Sequence, residues 1–139
     1  MCFEIPVRVY IEDTDAGGIV FYGNYLKFFE RARTDFLRSI GIEQSVTIEN
    51  DLIFVVRHVS VDYKRPARLD DMLHVSCAVH SVRPTRVVFK QTAHRAVDGG
   101  HLVDAEVEVV AVSRDTLKPK ALPENLLKTL QMTVGKTDV

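Results

Sequence analysis

Residues 3–41, FEIPVRVYIEDTDAGGIVFYGNYLKFFERARTDFLRSIG, contain the pattern that decides the fold. Apolar residues occupy every second position across residues 3–11, which is the periodicity of a strand with one buried face. Across residues 25–40 the apolar residues instead recur at helical spacing, and Gly41 follows as a residue suited to closing a helix end. The stretch therefore predicts a strand, a loop rich in Asp and Gly, and one long amphipathic helix.

The chain beyond this helix predicts mostly antiparallel sheet. Four strand-like segments follow, at residues 52–63, 73–79, 86–97 and 102–113. The last two flank Asp98-Gly99-Gly100, whose glycines accept the positive φ of a tight hairpin, so we expect these strands to be antiparallel neighbours. Residues 43–51 are polar and irregular, and residues 124–132 predict a short terminal helix. A helix on one face of a five-stranded antiparallel sheet is an α+β architecture.

Length and composition limit what the chain can be. Its 139 residues are the size of one domain, which we place at residues 1–139, and 46% hydrophobic residues can form an ordinary core. The formal charge of -1 gives no whole-molecule field that draws in nucleic acid. Cys2 and Cys77 belong to no redox or metal spacing, and no signal peptide or membrane-length apolar run occurs. We therefore expect a cytoplasmic protein without membrane insertion.

The loop between the first strand and the long helix is the most unusual segment. It gathers Glu12, Asp13 and Asp15 within four positions, although like charges repel, and Gly17 and Gly18 would let a ligand approach the backbone. The helix that follows begins with amide N–H groups that lack internal acceptors and would stabilise an electron-rich carbonyl oxygen. An Asp ahead of a helix is nevertheless more often a cap or turn residue than a catalyst, so the residues alone favour a structural role.

Residues 8–38, RVYIEDTDAGGIVFYGNYLKFFERARTDFLR, resemble the signature of the 4-hydroxybenzoyl-CoA thioesterase family of hotdog-fold enzymes. Among its members, the chain is most similar to the subgroup associated with the Tol-Pal system of bacteria. Residues 52–73, LIFVVRHVSVDYKRPARLDDML, and residues 117–126, LKPKALPENL, are similar to the same subgroup. The resemblance implies a hotdog fold, in which a five-stranded antiparallel sheet wraps a long helix, and homodimers joined edge to edge or homotetramers.

The resemblance also implies an activity and a site. It implies hydrolysis of an acyl-CoA thioester, with no cofactor beyond the coenzyme A of the substrate, and with Asp15 as nucleophile or general base. Amide N–H groups at the helix start, which match Tyr22 and Gly23, would polarise the thioester carbonyl. Many members of the subgroup have His where this chain has Gly23, so a role for that histidine does not carry over.

Further residues are expected around the substrate. We expect substrate contacts from Gly18, Asn24 and Tyr25. Basic residues in turns are commonly just exposed, but the coenzyme A phosphates need such groups, and we assign this role to at least one of Lys64, Arg65, Arg68 and Arg86. Charges on an amphipathic helix usually form a solvated face, which is the expectation for Arg31 and Arg33, while Glu30 is a minor candidate for a catalytic partner.

Other classes of function find less support. The five histidines form no metal spacing, and no serine has a G-x-S-x-G setting, so we expect neither a metal site nor a serine triad. The rival interpretation is a non-enzymatic module that binds acyl-CoA or an acyl carrier in an envelope-associated complex, where peripheral contact with a membrane stays open. A hotdog hydratase is weaker, since its usual Asp and His pair is not visible in the loop.

Overall fold

In a computed structural model, residues 3–134 are described, apart from the side chains of residues 44–46; Cys2 lies outside them. In chain order the elements are β1 (Glu4–Arg8), a 3-10 turn (Ile11–Asp13), α1 (Asn24–Ser39), α2 (Gln44–Glu49), β2 (Ile53–Tyr63), β3 (Met72–Ser76), β4 (Ala78–Val82), β5 (Arg86–Arg95), β6 (His101–Val112) and α3 (Glu124–Thr133). The predicted strand, loop and long helix at the start of the chain are confirmed, as is the terminal helix.

One antiparallel sheet carries all the strands, in the order β1-β3-β5-β6-β2, with β4 paired to β5. The predicted β5–β6 hairpin is confirmed, and Gly99 has the expected positive φ of 70°. Helix α1 buries Phe28, Phe29 and Ala32 completely because their spacing places them on one side of the helix. This side forms the core with the inward face of the sheet, so the α+β prediction is confirmed.

The sheet has six strands rather than the predicted five, because residues 73–79 do not form one continuous strand. Side chains replace main-chain pairing at the break. The backbone N–H of Thr92 donates to Ser76 Oγ at 2.9 Å, and Gln91 Nε2 donates to the carbonyl oxygen of Ser76 at 3.1 Å. The ladder to β5 is therefore interrupted at Ser76 and Cys77, and it resumes in the same register at β4.

The prediction that residues 43–51 are irregular is wrong, since α2 forms within them. Its stability comes from a distant residue. Lys120 Nζ donates to the carbonyl oxygens of Asn50 and Asp51, at 2.6 and 3.2 Å, just past the end of the helix. A cation at this position satisfies carbonyl groups that a helix end leaves without partners, so a six-residue helix with a weak pattern becomes stable.

Candidate active site

The loop between β1 and α1 folds back on itself as a tight hairpin. The backbone N–H of Asp15 donates to Ile19 at 2.9 Å, and that of Phe21 donates to Asp13 at 2.9 Å. Gly18 closes the turn with a φ of 79°, a conformation that side-chain-bearing residues rarely adopt. Asp15 thus begins the turn, and the returning segment ends at Phe21, directly before the start of α1.

Asp13 is buried and has a structural role. Its Oδ2 accepts the backbone N–H of Tyr10 at 2.9 Å, and its Oδ1 accepts Asn24 Nδ2 at 2.7 Å. These bonds join the 3-10 turn, the loop and the first residue of α1. Asn24 was predicted to contact substrate, and the structure shows its side-chain amide already donating to Asp13.

Asp15 is exposed, and its carboxylate is partly engaged by its own turn. Oδ1 accepts the backbone N–H of Gly17 at 2.8 Å, which is the turn role that the loop residues alone favoured. Oδ2 accepts no hydrogen bond from any residue between 3 and 134. The Gly17 bond therefore fixes the direction of the side chain while one carboxylate oxygen stays available.

The start of α1 offers two free amide groups. The N–H of Asn24 donates to Phe21 at 2.8 Å, whereas the N–H groups of Tyr22 and Gly23 donate to no acceptor within the described part of the chain. Gly23 has a φ of −71° and a ψ of −18°, which any residue can adopt. A Cβ at this position would lie 3.1 Å from the ring of Phe21, so the glycine lets that ring pack against the helix start.

Aromatic residues attach β2 to this region. Tyr63, at the end of β2, donates its hydroxyl to the carbonyl oxygen of Tyr22 at 2.8 Å. Burial, and then the neighbouring Tyr22, raise the pKa of Tyr63. Tyr25 is 2% exposed and accepts the backbone N–H of Ala67 at 3.0 Å, so this predicted substrate contact is enclosed within the core.

Three of the four predicted basic residues belong to a connection that meets the hairpin. Arg68 forms an isolated bridge with Ile19, and Lys64 and Arg65 precede it in the same connection. Lys64 pairs with Asp62 at 3.2 Å, while Arg65 is exposed and forms no ion pair among residues 3–134. The connection that carries these three residues therefore runs beside the hairpin at Arg68.

Arg86 lies elsewhere. It is opposite Val110 on β6, whereas Tyr63 is opposite Val103, seven positions along the same strand. At about 3.3 Å per residue this separation is about 23 Å. Arg86 instead contacts Glu108 at 3.3 Å, so one protomer does not bring it to the hairpin.

A separate cavity of about 510 Å³ lies between α1 and β2. Its apolar lining is Leu37, Ile42, Ile53, Phe54, Val56, Phe89 and Val109. Glu30 and Arg33 also line it, and Glu30 is six residues, or about 9 Å, along the helix from Asn24. Asp15 is not among the lining residues, so the cavity and the hairpin are distinct regions of a single protomer.

Arg33 departs from the expected solvated face. Arg31 is exposed as predicted, but Arg33 is partly buried and donates from Nη1 to Gln91 Oε1 at 3.0 Å. The sequence signal was weak: Arg33 is four positions after the buried Phe29 and directly after the buried Ala32, on the edge of the apolar side of the helix.

The described residues hold neither a metal-binding group nor a membrane-spanning helix. Among residues 3–134, no group of three or more His, Cys, Asp or Glu side chains is arranged to hold a metal ion. Over the same part of the chain, none of the helices has the length and apolar character needed to cross a bilayer.

Comparison with known proteins adds to this geometry. Residues 17–100 match the thioesterase superfamily. The chain is 46% identical over 125 residues to the acyl-CoA thioester hydrolase YbgC of Escherichia coli, covering 90% of this chain and 92% of that relative. It is 42% identical over 125 residues to the acyl-CoA thioesterase YbgC of Haemophilus influenzae, covering 89% and 90%.

A solved structure agrees with the fold. The crystal structure of a probable thioesterase from Bartonella henselae superposes with a TM-score of 0.81 at 33% identity, covering 88% of this chain and all of that one. The predicted hotdog thioesterase fold is confirmed by this likeness and the family match.

Proposed function

The chain belongs to the thioesterase superfamily, and on that premise we propose that it hydrolyses an acyl-CoA thioester to the free acid and coenzyme A. The observation that carries the proposal is the hairpin of Asp15. It holds a carboxylate with one free oxygen in the same short segment that leads to two free amide groups, those of Tyr22 and Gly23. The names of the Escherichia coli and Haemophilus influenzae relatives support the choice of acyl-CoA as substrate.

The chemistry requires a nucleophile and a place for negative charge. Asp15 either attacks the thioester carbonyl carbon itself or removes a proton from a water molecule that attacks it. The carbonyl oxygen then becomes an oxyanion, and the N–H groups of Tyr22 and Gly23 donate to it. When the oxyanion collapses, the C–S bond breaks and the coenzyme A thiolate leaves and takes up a proton. In the covalent route, water then hydrolyses the anhydride formed on Asp15.

The surroundings of the hairpin suggest how the rest of the substrate binds. Lys64, Arg65 and Arg68 belong to the connection that bridges to the hairpin at Ile19, and arginine matches phosphate geometry well, so we assign these residues to the coenzyme A phosphates. Gly18 leaves the backbone of the turn open to the ligand. For Asn24 and Tyr25 direct contact stays a prediction, while their hydrogen bonds favour a positioning role.

The exposed surface around Asp15 and strand β2 favours association with a second copy of the chain. Strand β2 lies at one end of the sheet order, and Val55 and Val56 on it are 43% and 46% exposed. The neighbouring Tyr22 is 67% exposed. An open, apolar edge strand is a template for pairing with another chain. We propose a homodimer joined through β2, with a homotetramer as the larger alternative, and a site between two protomers.

Finer assignments rest on the resemblance of residues 8–38. We place the chain in the 4-hydroxybenzoyl-CoA thioesterase family and its Tol-Pal-associated subgroup, and we place the enzyme in the cytoplasm. Gly23, in place of the histidine common in that subgroup, leaves the preferred acyl group open.

The test is steady-state release of coenzyme A thiol by Asp15→Asn across short, long and aromatic acyl-CoA thioesters. We expect kcat to fall about 100- to 10,000-fold while the affinity for a non-hydrolysable acyl-CoA analogue is retained. Glu12→Gln, which neutralises an exposed carboxylate in the same loop, is the matched control and should keep its activity. Turnover by Asp15→Asn equal to that of the native protein would favour the acyl-CoA binding module instead.

A further inference from the structure

The cavity between α1 and β2 has a mostly apolar floor and one unusual cation. Its volume of about 510 Å³ is in the range of small-molecule sites. Arg38 also lines it, but Arg38 is paired with Asp35 at 2.8 Å. Arg33 has no carboxylate within ion-pair distance among the described residues. Arg33 is therefore a lining cation without an ion pair, and the nearby Glu30 is the carboxylate that partly offsets its charge.

The guanidinium group of Arg33 uses only one of its N–H donors within the described residues. Its one hydrogen bond runs from Nη1 to Gln91 Oε1, a neutral acceptor. Every fully buried side-chain nitrogen or oxygen in the described structure has a partner, so the remaining guanidinium N–H groups of Arg33, which lines the cavity, are not fully buried. Glu30 also lines the cavity, but its Oε2 accepts the hydroxyl of Thr34 at 2.6 Å, and it forms no ion pair with Arg33 in the described chain.

Gln91 holds this cation in place. Gln91 is 1% exposed, and its Nε2 donates to the carbonyl oxygens of Phe29 and Ser76, at 2.9 and 3.1 Å. These bonds fix the amide so that its oxygen faces Arg33. Burial lowers the pKa of Arg33, which expresses the cost of keeping this charge partly away from water, and the nearby Glu30 opposes this shift only in part.

The proposed dimer brings the cavity to a catalytic hairpin. When two copies of β2 pair antiparallel along their length, Tyr63 of one copy lies beside the Ile53 end of the other. Phe54 lines the cavity and Tyr63 contacts Tyr25, so both side chains face α1. With that pairing, the Tyr22 region of one protomer, whose carbonyl oxygen accepts the Tyr63 hydroxyl, would lie over the cavity of its partner.

We propose that this cavity receives the acyl group during hydrolysis by the partner protomer, and that Arg33 selects acyl groups that end in a carboxylate. The inference rests on the proposed thioesterase activity and adds the class of substrate. Arg33 is a specificity-determining residue that touches the distal end of the acyl chain and takes no part in breaking the C–S bond. A guanidinium with free N–H groups forms a charge-assisted pair with a carboxylate, and apolar walls hold the methylene groups between them.

The experiment compares acyl-CoA and ω-carboxyacyl-CoA thioesters of equal carbon number, from four to ten carbons. For the chain length that spans the cavity, we expect the native enzyme to have a kcat/KM about 10- to 100-fold higher for the ω-carboxy substrate. Arg33→Met should remove this preference through KM and leave turnover of the plain acyl substrate within a few-fold. Arg31→Met, on the exposed side of the same helix, is the matched control and should keep the preference.

Two further variants separate recognition from folding. Arg33→Lys keeps a cation and should retain part of the preference. Gln91→Met removes the hydrogen bond to Arg33 but keeps the charge of Arg33. If Arg33→Met acts only through packing, both variants should therefore change kcat/KM equally for the plain and the ω-carboxy substrates. The melting temperature of each variant, compared with that of the native protein, tests whether the fold is kept.

The inference is overturned if the native enzyme prefers plain acyl groups at every length, or if Arg33→Met changes both substrate series by the same factor. Failure of the underlying activity looks different. In that case Asp15→Asn would turn over both substrate series at the native rate. If instead Asp15→Asn is inactive and Arg33→Met keeps the native preference for the ω-carboxy substrate, only the role of Arg33 is contradicted.

Discussion

At the residue scale, Asp13 and Asp15 lie two positions apart, yet the fold uses their carboxylates differently. Both oxygens of Asp13 are bonded and buried, while Asp15 is exposed and uses one oxygen. A catalytic carboxylate must reach substrate, so the free oxygen of Asp15 is what separates it from its neighbour.

Gly17 provides a prediction about how Asp15 is oriented. A Cβ at Gly17 would lie 3.3 Å from Asp15 Oδ1 and displace the carboxylate from its bond to the Gly17 N–H. We expect Gly17→Ala to lower kcat about tenfold with a small change in melting temperature, because displacement of a reacting group by a fraction of an ångström costs rate. Thiol release and thermal unfolding measure the two effects.

The β5–β6 hairpin contains a matched control for this substitution. Asp98 Oδ1 accepts the N–H of Gly100 at 2.9 Å, and a Cβ at Gly100 would lie 3.0 Å from the same oxygen. Gly100→Ala therefore imposes a similar clash in a hairpin that carries none of the proposed catalytic residues. An equal loss of kcat in both variants would show that the effect of Gly17→Ala comes from general destabilisation.

Much of the hairpin could be predicted from residue types, and the rest could not. The gathering of acids and glycines predicts a special loop, and the family resemblance selects Asp15. That Asp13 is structural depends on Asn24 and Tyr10, which the backbone brings to it, and no spacing rule contains that information. Arg33 was assigned to a solvated face because its acceptor, Gln91, is 58 positions away on β5.

At the element scale, α1, β5 and β6 follow from periodicity because each buries one face over many residues, whereas β2 is only partly buried along its length and is indicated by its Val, Ile and Phe content. The two elements that were predicted wrongly depend on residues far away in the sequence. The break between β3 and β4 comes from side-chain bonds with β5, and α2 depends on Lys120. Short elements carry too little pattern of their own, so tertiary contacts decide them.

Neighbouring strands also create a pH-dependent contribution to stability. His74 and His94 are opposite one another on β3 and β5, and the ring of His101 on β6 lies 4.5 Å from that of His94. Burial and then His101 lower the pKa of His94, against the weaker opposing effects of Glu4 and Asp104. The unfolded chain therefore binds a proton at His94 more readily than the folded one, so stability falls as the pH falls through about 6.5.

We expect the melting temperature to decrease from pH 7.5 to pH 5.5, and His94→Gln to reduce that decrease. His80→Gln, at an exposed position on β4, is the control for replacing a histidine by glutamine. Identical pH profiles for the native protein and His94→Gln would contradict this account.

At the scale of the whole molecule, the proposed site is completed only when two protomers associate. Val55→Asp places a charge on the open edge strand, and inward or edge charges prevent strand pairing. We expect this variant to shift from dimer to monomer in light scattering at micromolar concentration, and to lose thioesterase activity with the dimer. Val97→Asp, at an 86% exposed position beside the β5–β6 hairpin, should stay dimeric. An active monomeric Val55→Asp would show that one protomer holds the complete site.

The central claim is that the carboxylate of Asp15 drives cleavage of the thioester. Its most direct measurement is a single-turnover experiment, with enzyme in excess over acyl-CoA, that follows thiol release by native protein and by Asp15→Asn at equal occupancy. Because binding is complete before the chemistry in both cases, we expect the rate to fall at least about 100-fold in the variant. Equal single-turnover rates would contradict the account.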